Sequence, residues 1–259
     1  MKDALIKNPF KRSARNVFAA LLVLGLGACV IPANSFAFAF TSGQSASIVL
    51  GQPNFITSST ATSQGGLHTR VVAYNGPIFD SSGNLWISDE SNHRILEFPK
   101  GSGFTNGESA SLVIGQSDFV SNTAANPPTA ASLRFPQGIA FDSSGNLWVA
   151  DANNNRVLEF TTPFSTDEVA STVFGQGTSF TTNTANNGGL SASSLYFPQG
   201  ISFDSSGNLW ISDTQNNRVL EYLVIAISLP EFPLGGMALL AIASMAAYIG
   251  IRYKTLKIR

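Results

Sequence analysis

Phe141-Asp142-Ser143-Ser144-Gly145-Asn146-Leu147-Trp148-Val149-Ala150-Asp151 occurs in this chain three times with small changes, at residues 79–89, 141–151 and 203–213. The tryptophans Trp86, Trp148 and Trp210 stand 62 residues apart both times. Each copy runs on into Asn-x-Arg, a β-branched residue, Leu-Glu and an aromatic, ending at Phe98, Phe160 and Tyr222. A third element, an apolar run closed by Gly-Gln, recurs at 48–52, 112–116 and 172–176. Self-similarity at a fixed period marks a repeat architecture.

Each copy reads as four short strands. In the middle copy, strand a covers 138–141 and a tight turn covers 142–146, with Gly145 at the position that needs positive φ. Strand b covers 147–150. The turn at 151–155 is rich in Asn, which tolerates left-handed backbone. Strand c covers 156–160, and the Gly-Gln run is strand d. Strands b and d are apolar on both faces, which suits a sheet packed between neighbouring sheets, as in a propeller. The expected fold class is all-β: three four-stranded propeller blades in a partial or oligomer-completed ring. The three tryptophans are expected in the core between blades.

Gly138-Ile139-Ala140-Phe141-Asp142, Gly145 to Asp151 and Asn154-Asn155-Arg156-Val157-Leu158-Glu159-Phe160 resemble the NHL repeat. The first copy keeps Asn92-His93 at two of the family's letters. The resemblance covers residues 71–222, with copies at 71–116, 133–176 and 195–222. It implies a β-propeller of four-stranded blades. It does not imply one function, because the family includes RNA binders, protein-interaction modules, lyases and sensor ectodomains.

The period of 62 exceeds the roughly 40–45 residues of a usual propeller repeat. The excess lies at 117–136 and 177–198, stretches rich in Thr, Asn, Ser and Ala that read as long loops. Connections d-to-a and b-to-c share one propeller face, so these loops and the Asp-x-x-Asn-x-Arg turns are expected at the same end. The first copy deviates before Phe79, where Tyr74 and Pro77 break the pattern. Three blades are fewer than the four to eight of a closed ring. The sequence opens with a lone strand d at 47–52 and shows no Gly-Gln run after Tyr222. Two chains are therefore expected to close a six-bladed ring as a homodimer, each donating its first strand. An open arc, or a remnant of a longer gene, is the alternative.

Asp89, Asp151 and Asp213 end strand b, and Arg94, Arg156 and Arg218 open strand c five residues later. With Asn92, Asn154 and Asn216 they form the candidate partner-binding face. The competing structural reading pairs each Asp with its Arg across the hairpin, and recurrence in every copy favours it. Glu97, Glu159 and Glu221 are judged alike. The Asp80, Asp142 and Asp204 turns lack the further acidic ligands of a calcium loop. His68 and His93 are the only histidines, too few for the histidine-held zinc of propeller lyases. No catalytic residue, metal or cofactor is expected.

The ends differ from the body. Residues 16–28 form an apolar run behind a basic segment, and Ala37-Phe38-Ala39 gives a small-x-small cleavage pattern, so 1–39 reads as a signal peptide. Leu26-Gly27-Ala28-Cys29 resembles a lipobox, and an uncleaved helix is a further alternative. Cleavage after Ala39 leaves no cysteine, and hence no disulfide. Residues 234–251 carry no charge and just reach spanning length, and the basic residues after them place the C-terminus inside. Pro230-Glu231-Phe232-Pro233 before this helix resembles a PEF-CTERM sorting signal of archaeal surface proteins, which implies cutting near the motif and transfer to a lipid. A helix that stays uncut is the other reading. The domains are thus 1–39, a propeller at 40–228 and an anchor at 229–259.

Only 12% of residues are charged, about half the usual share. Apart from the basic ends, the body holds six basic against fifteen acidic residues, which argues against nucleic acid as a partner. The expected function is a non-enzymatic binding or scaffold module. It is anchored to the membrane at the cell surface and uses its long-loop face to meet an extracellular protein or polysaccharide. An extracellular lactonase- or lyase-like enzyme and a structural envelope component are the alternatives.

Overall fold

The computed structural model describes residues 40–69 and 76–225. The expected signal segment, Tyr74 and the PEF motif with its helix lie outside the described residues. Among those described, no helix is long and apolar enough to cross a membrane. Every strand belongs to the compact unit that begins at Ala46.

The strands form three antiparallel sheets, each ordered as in the sequence. The first holds β1 (Ile78–Phe79), β2 (Leu85–Asp89), β3 (Arg94–Phe98) and β4 (Leu112–Ile114). The second holds β5 (Pro136–Phe141), β6 (Leu147–Asp151), β7 (Arg156–Phe160) and β8 (Thr172–Phe174). The third holds β9 (Pro198–Phe203), β10 (Leu209–Asp213) and β11 (Arg218–Tyr222) and has no fourth strand among the described residues. All-β blades are as the repeat implies, and β7 and β11 have the predicted bounds. Strand a of the second blade starts two residues earlier than expected, at Pro136.

The two hairpin turns explain why the register repeats. In the a–b turn, Asp142 Oδ1 accepts from Ser144 N and Asn146 N, and Oδ2 accepts from Asn146 Nδ2 and Trp148 Nε1. Asp80 and Asp204 do the same with their own neighbours. Both carboxylate oxygens are thus occupied by the turn itself. Gly145 takes φ 82° in this turn, a conformation that costs glycine nothing in side-chain clash. The b–c turn is a 3-10 helix, Ala152–Asn154, closed by Asn155 at φ 52°. It sets the same pairing in each blade: Asp89 with Arg94, Asp151 with Arg156, Asp213 with Arg218.

The core lies between blades. Trp86 packs edge-on against Phe141 at 5.6 Å and Phe164 at 5.1 Å, joining blades one and two. Trp148 meets Phe203 of blade three at 5.7 Å. Trp210 departs from the expectation that all three are inter-blade core: it is 37% exposed, because no described blade follows to supply the covering phenylalanine.

The second correction concerns residues 47–52, which form no strand. Leu50 instead packs on the outer side of blade one, with Leu67, Phe104 and Phe119 over Leu96, Phe98 and Val113. A strand requires a paired neighbour, and no described strand c lies beside this segment.

Candidate functional site

One polar motif, repeated three times, holds the long-loop end together. Asp151 Oδ2 accepts from Arg156 Nε at 2.7 Å and Asn154 Nδ2 at 2.9 Å, while Oδ1 accepts from Arg134 N at 2.6 Å. Asp89 receives Arg94 Nε, Asn92 Nδ2 and His68 N in the same way. Asp213 receives Arg218 Nε, Asn216 Nδ2 and Tyr196 N.

The guanidinium then reaches the loops on either side. Arg156 Nη2 donates to Thr129 O and Ser132 O of the loop that enters its blade, and Nη1 to Phe180 O of the loop that leaves. Arg94 likewise joins Ser63 O and Gly66 O to Phe119 O. Arg218 Nη2 holds Ser191 O and Ser194 O, but Nη1 has no acceptor among the described residues. A planar fork with five donors suits such many-sided bonding.

Asp89, Asn92, Arg94, Asp151, Asn154 and Arg156 are all fully buried. Asp213 is buried too, while Asn216 and Arg218 at the end of the series are half-buried. These residues sit beneath the long-loop face and support it. Their polar atoms are used on carbonyls of the loops, which fits the structural reading of the Asp–Arg pairs. Burial pushes the Asp151 carboxyl up, against the opposing pull of Arg156, Asn154 and the Arg134 amide.

Two further devices, not singled out from sequence, fix the same loops. Gln116 Nε2 bridges His93 O and Thr123 O, and Gln176 Nε2 bridges Asn155 O and Thr184 O. Gly115 and Gly175, at φ 94° and 93°, leave room for Leu133 and Leu195 respectively. The signal was the recurrence of Gly-Gln and of Leu-x-Phe-Pro.

His93 replaces Asn155 and Asn217 and performs the same task. Its Nδ1 accepts from Phe135 N at 3.1 Å, as Asn155 Oδ1 accepts from Phe197 N at 2.9 Å. That bond assigns the neutral ring its proton on Nε2. Burial and the nearby Arg134 charge hold His93 below its ordinary value, against Asp89.

The exposed part of the two long loops is largely uncharged and polar, and it includes Asp118, Val120 and Leu190. Asn122 and Thr123 of the first long loop, and Thr181, Thr184 and Asn187 of the second, are exposed. Among the described residues, no three His, Cys, Asp or Glu side chains are grouped to hold a metal.

The NHL repeat pattern matches residues 133–160 and 195–222. They cover blades two and three from the Leu that plugs each Gly to the end of strand c. No curated protein matches the chain in sequence. Among solved structures, a streptogramin B lyase is similar at 18% identity, over 57% of this chain and 39% of its own, with a TM-score of 0.33. Virginiamycin B lyase from Staphylococcus aureus is similar at 17%, over 58% and 41%, with a TM-score of 0.33. An auxiliary nutrient binding protein from Bacteroides ovatus ATCC 8483 is similar at 14%, over 55% and 35%, with a TM-score of 0.37. The chain spans about two fifths of the length of the two lyases.

Proposed function

We propose that this NHL-repeat protein is a cell-surface binding module whose long-loop face meets an extracellular protein or polysaccharide. It is not an enzyme in this reading, and residues 229–259 tether it to the membrane. The observation that carries the proposal is the burial of the Asp89–Arg94 and Asp151–Arg156 pairs beneath the loops. The repeated charged groups serve to hold backbone carbonyls, so the loops are preorganised. A preorganised surface loses little freedom on binding. Exposed Asn and Thr side chains then offer donors and acceptors without charge, suited to hydroxyl-rich or peptide partners.

The test is binding of the full chain, in detergent, to a panel of neutral and acidic polysaccharides, with Asn122→Ala/Thr184→Ala/Asn187→Ala as the comparison. A neutral polysaccharide should bind, and the triple variant should bind it at least about tenfold more weakly with unchanged melting temperature. Equal binding by the variant, or turnover of a lactone substrate by the wild-type chain, overturns the proposal.

A further inference from the structure

Residues 46–69 repeat several contacts of the strand d and long loop that leave blades one and two. Gly51 is at φ 82° under Leu67, as Gly115 lies under Leu133 and Gly175 under Leu195. Gln52 Nε2 donates to Ser59 O as Gln116 Nε2 does to Thr123 O. Val49 O accepts from Gly107 N, as Val113 O accepts from Asp167 N of the next blade. The segment is therefore shaped as the outgoing half of a blade that precedes blade one.

The bonds that would tie it to that blade are missing among the described residues. Gln116 Nε2 also reaches His93 O, and Gln176 Nε2 also reaches Asn155 O, while Gln52 has no such second acceptor. Leu112 and Ile114 pair with Glu97 and Ile95, but their counterparts Ile48 and Leu50 pair with no strand. Phe119 O and Phe180 O each accept from an Arg Nη1, and the counterpart Phe55 O accepts from none.

Among the described residues, blade three lacks the complementary half. The outer edge of β11 is paired with no described strand, and Val219 on it is 61% exposed. Among the described residues, Arg218 Nη1 lacks the acceptor that Phe180 O provides for Arg156. Trp210 has the exposed face that Phe141 and Phe203 cover for Trp86 and Trp148, and Phe79, the matching residue of blade one, is itself 59% exposed.

We infer that two copies of this chain exchange strands, residues 48–50 of each pairing with β11 of the other. The register follows from the other blades: Ile48 opposite Glu221 and Leu50 opposite Val219, as Leu112 is opposite Glu97 and Ile114 opposite Ile95. Arg218 Nη1 then donates to Phe55 O of the second copy, and Gln52 to its Asn217 O. Trp210 packs on the second copy's Phe79. The contact is head-to-tail and closes after two copies, so no edge is left to recruit a third.

The experiment is cysteine cross-linking of the full chain in detergent, with Cys29→Ser as background. Ile48 and Glu221 are both exposed in the single chain, so substitution there disturbs no core. Directly opposed Cα atoms lie about 4.5–5.5 Å apart, within disulfide range. Chains carrying Ile48→Cys alone and Glu221→Cys alone should join one to one on mixing. The double variant should run at twice the 27.4 kDa chain without reductant. Sedimentation of the unsubstituted chain should give the same doubled protein mass. Three results overturn the inference: a double variant oxidised yet running as one chain, a ladder of higher multiples, or unreacted thiols with a monomeric mass.

Discussion

Nε of Arg156 lies 2.7 Å from Oδ2 of Asp151, and neither side chain meets solvent. The pair spans the ends of β6 and β7 and carries the carbonyls of two loops. Removing one partner of such a pair leaves a buried charge uncompensated, at a cost of about 3–5 kcal/mol. Arg156→Ala should therefore lower the unfolding free energy by that order in a urea titration. In the single chain Arg218→Ala should cost less than half as much, because the Arg218 side chain is 25% exposed there and holds one loop where Arg156 holds two. Equal losses would show that the guanidinium does not act by joining loops.

His93 gives the protein a pH-dependent step. Its folded value lies below the ordinary 6.5, so the unfolded chain binds the proton more readily. Stability is fully present above 6.5 and falls as pH drops through the folded value. Protonation puts a donor on Nδ1, facing Phe135 N–H. His93→Asn substitutes the residue that blades two and three already use. It should keep the bond and remove the fall in melting temperature between pH 7.5 and 5.5. A variant with the wild-type slope sinks this account.

A second window opens in acid. Burial pushes Asp80 up, but bonds from Trp86, Asn84 and Ser82 outweigh it and hold the carboxyl below 3.8; Asp204, bonded by Asn208 and Trp210, is also held low. Their stabilisation is present above 3.8 and lost as pH falls below it. Asp80→Asn should flatten the melting profile below pH 4 and lower the melting temperature near neutrality, where the carboxylate's bonds are lost.

Two glycines with similar φ should respond unequally to Ala. Gly145 has nothing within 4 Å of an added Cβ, so Gly145→Ala costs only the left-handed backbone, about 1–2 kcal/mol. At Gly175 the Cβ would stand 2.7 Å from Asn155 O and 2.8 Å from Leu195. Gly175→Ala should cost clearly more in chemical denaturation. The reverse order would mean that Leu195 does not plug this turn.

The strands were legible because pairing here is local. β6 and β7 are joined by a short turn, and Asp151 opposite Arg156 fixes their register. The support of the loops was not, because it links residues far apart: Arg94 to Phe119, His93 to Phe135. Charged side chains are usually found at surfaces, and nothing in their spacing reveals that loop carbonyls will cover them. Identity of sequence also did not secure identity of environment. Trp148 and Trp210 sit in the same motif, yet one is buried and the other is not, because among the described residues only one has a neighbouring blade. The Gly-Gln run behaves alike: Ile114 has β3 beside it, whereas Leu50, at the matching position, has no strand.

The arginine fork also bears on how such a chain can grow or shrink. Arg94 and Arg156 each draw acceptors from the stretch before and the stretch after, so a cut on either side of them severs a fork. Arg94, Arg156 and Arg218 are spaced 62 residues apart. Duplication or loss of a segment of that length, wherever it starts, leaves each internal fork with carbonyls on both sides. Smaller changes are carried inside the loops, where they leave the bonded carbonyls in place: Arg94 reaches Ser63 O across 31 residues and Arg156 reaches Thr129 O across 27.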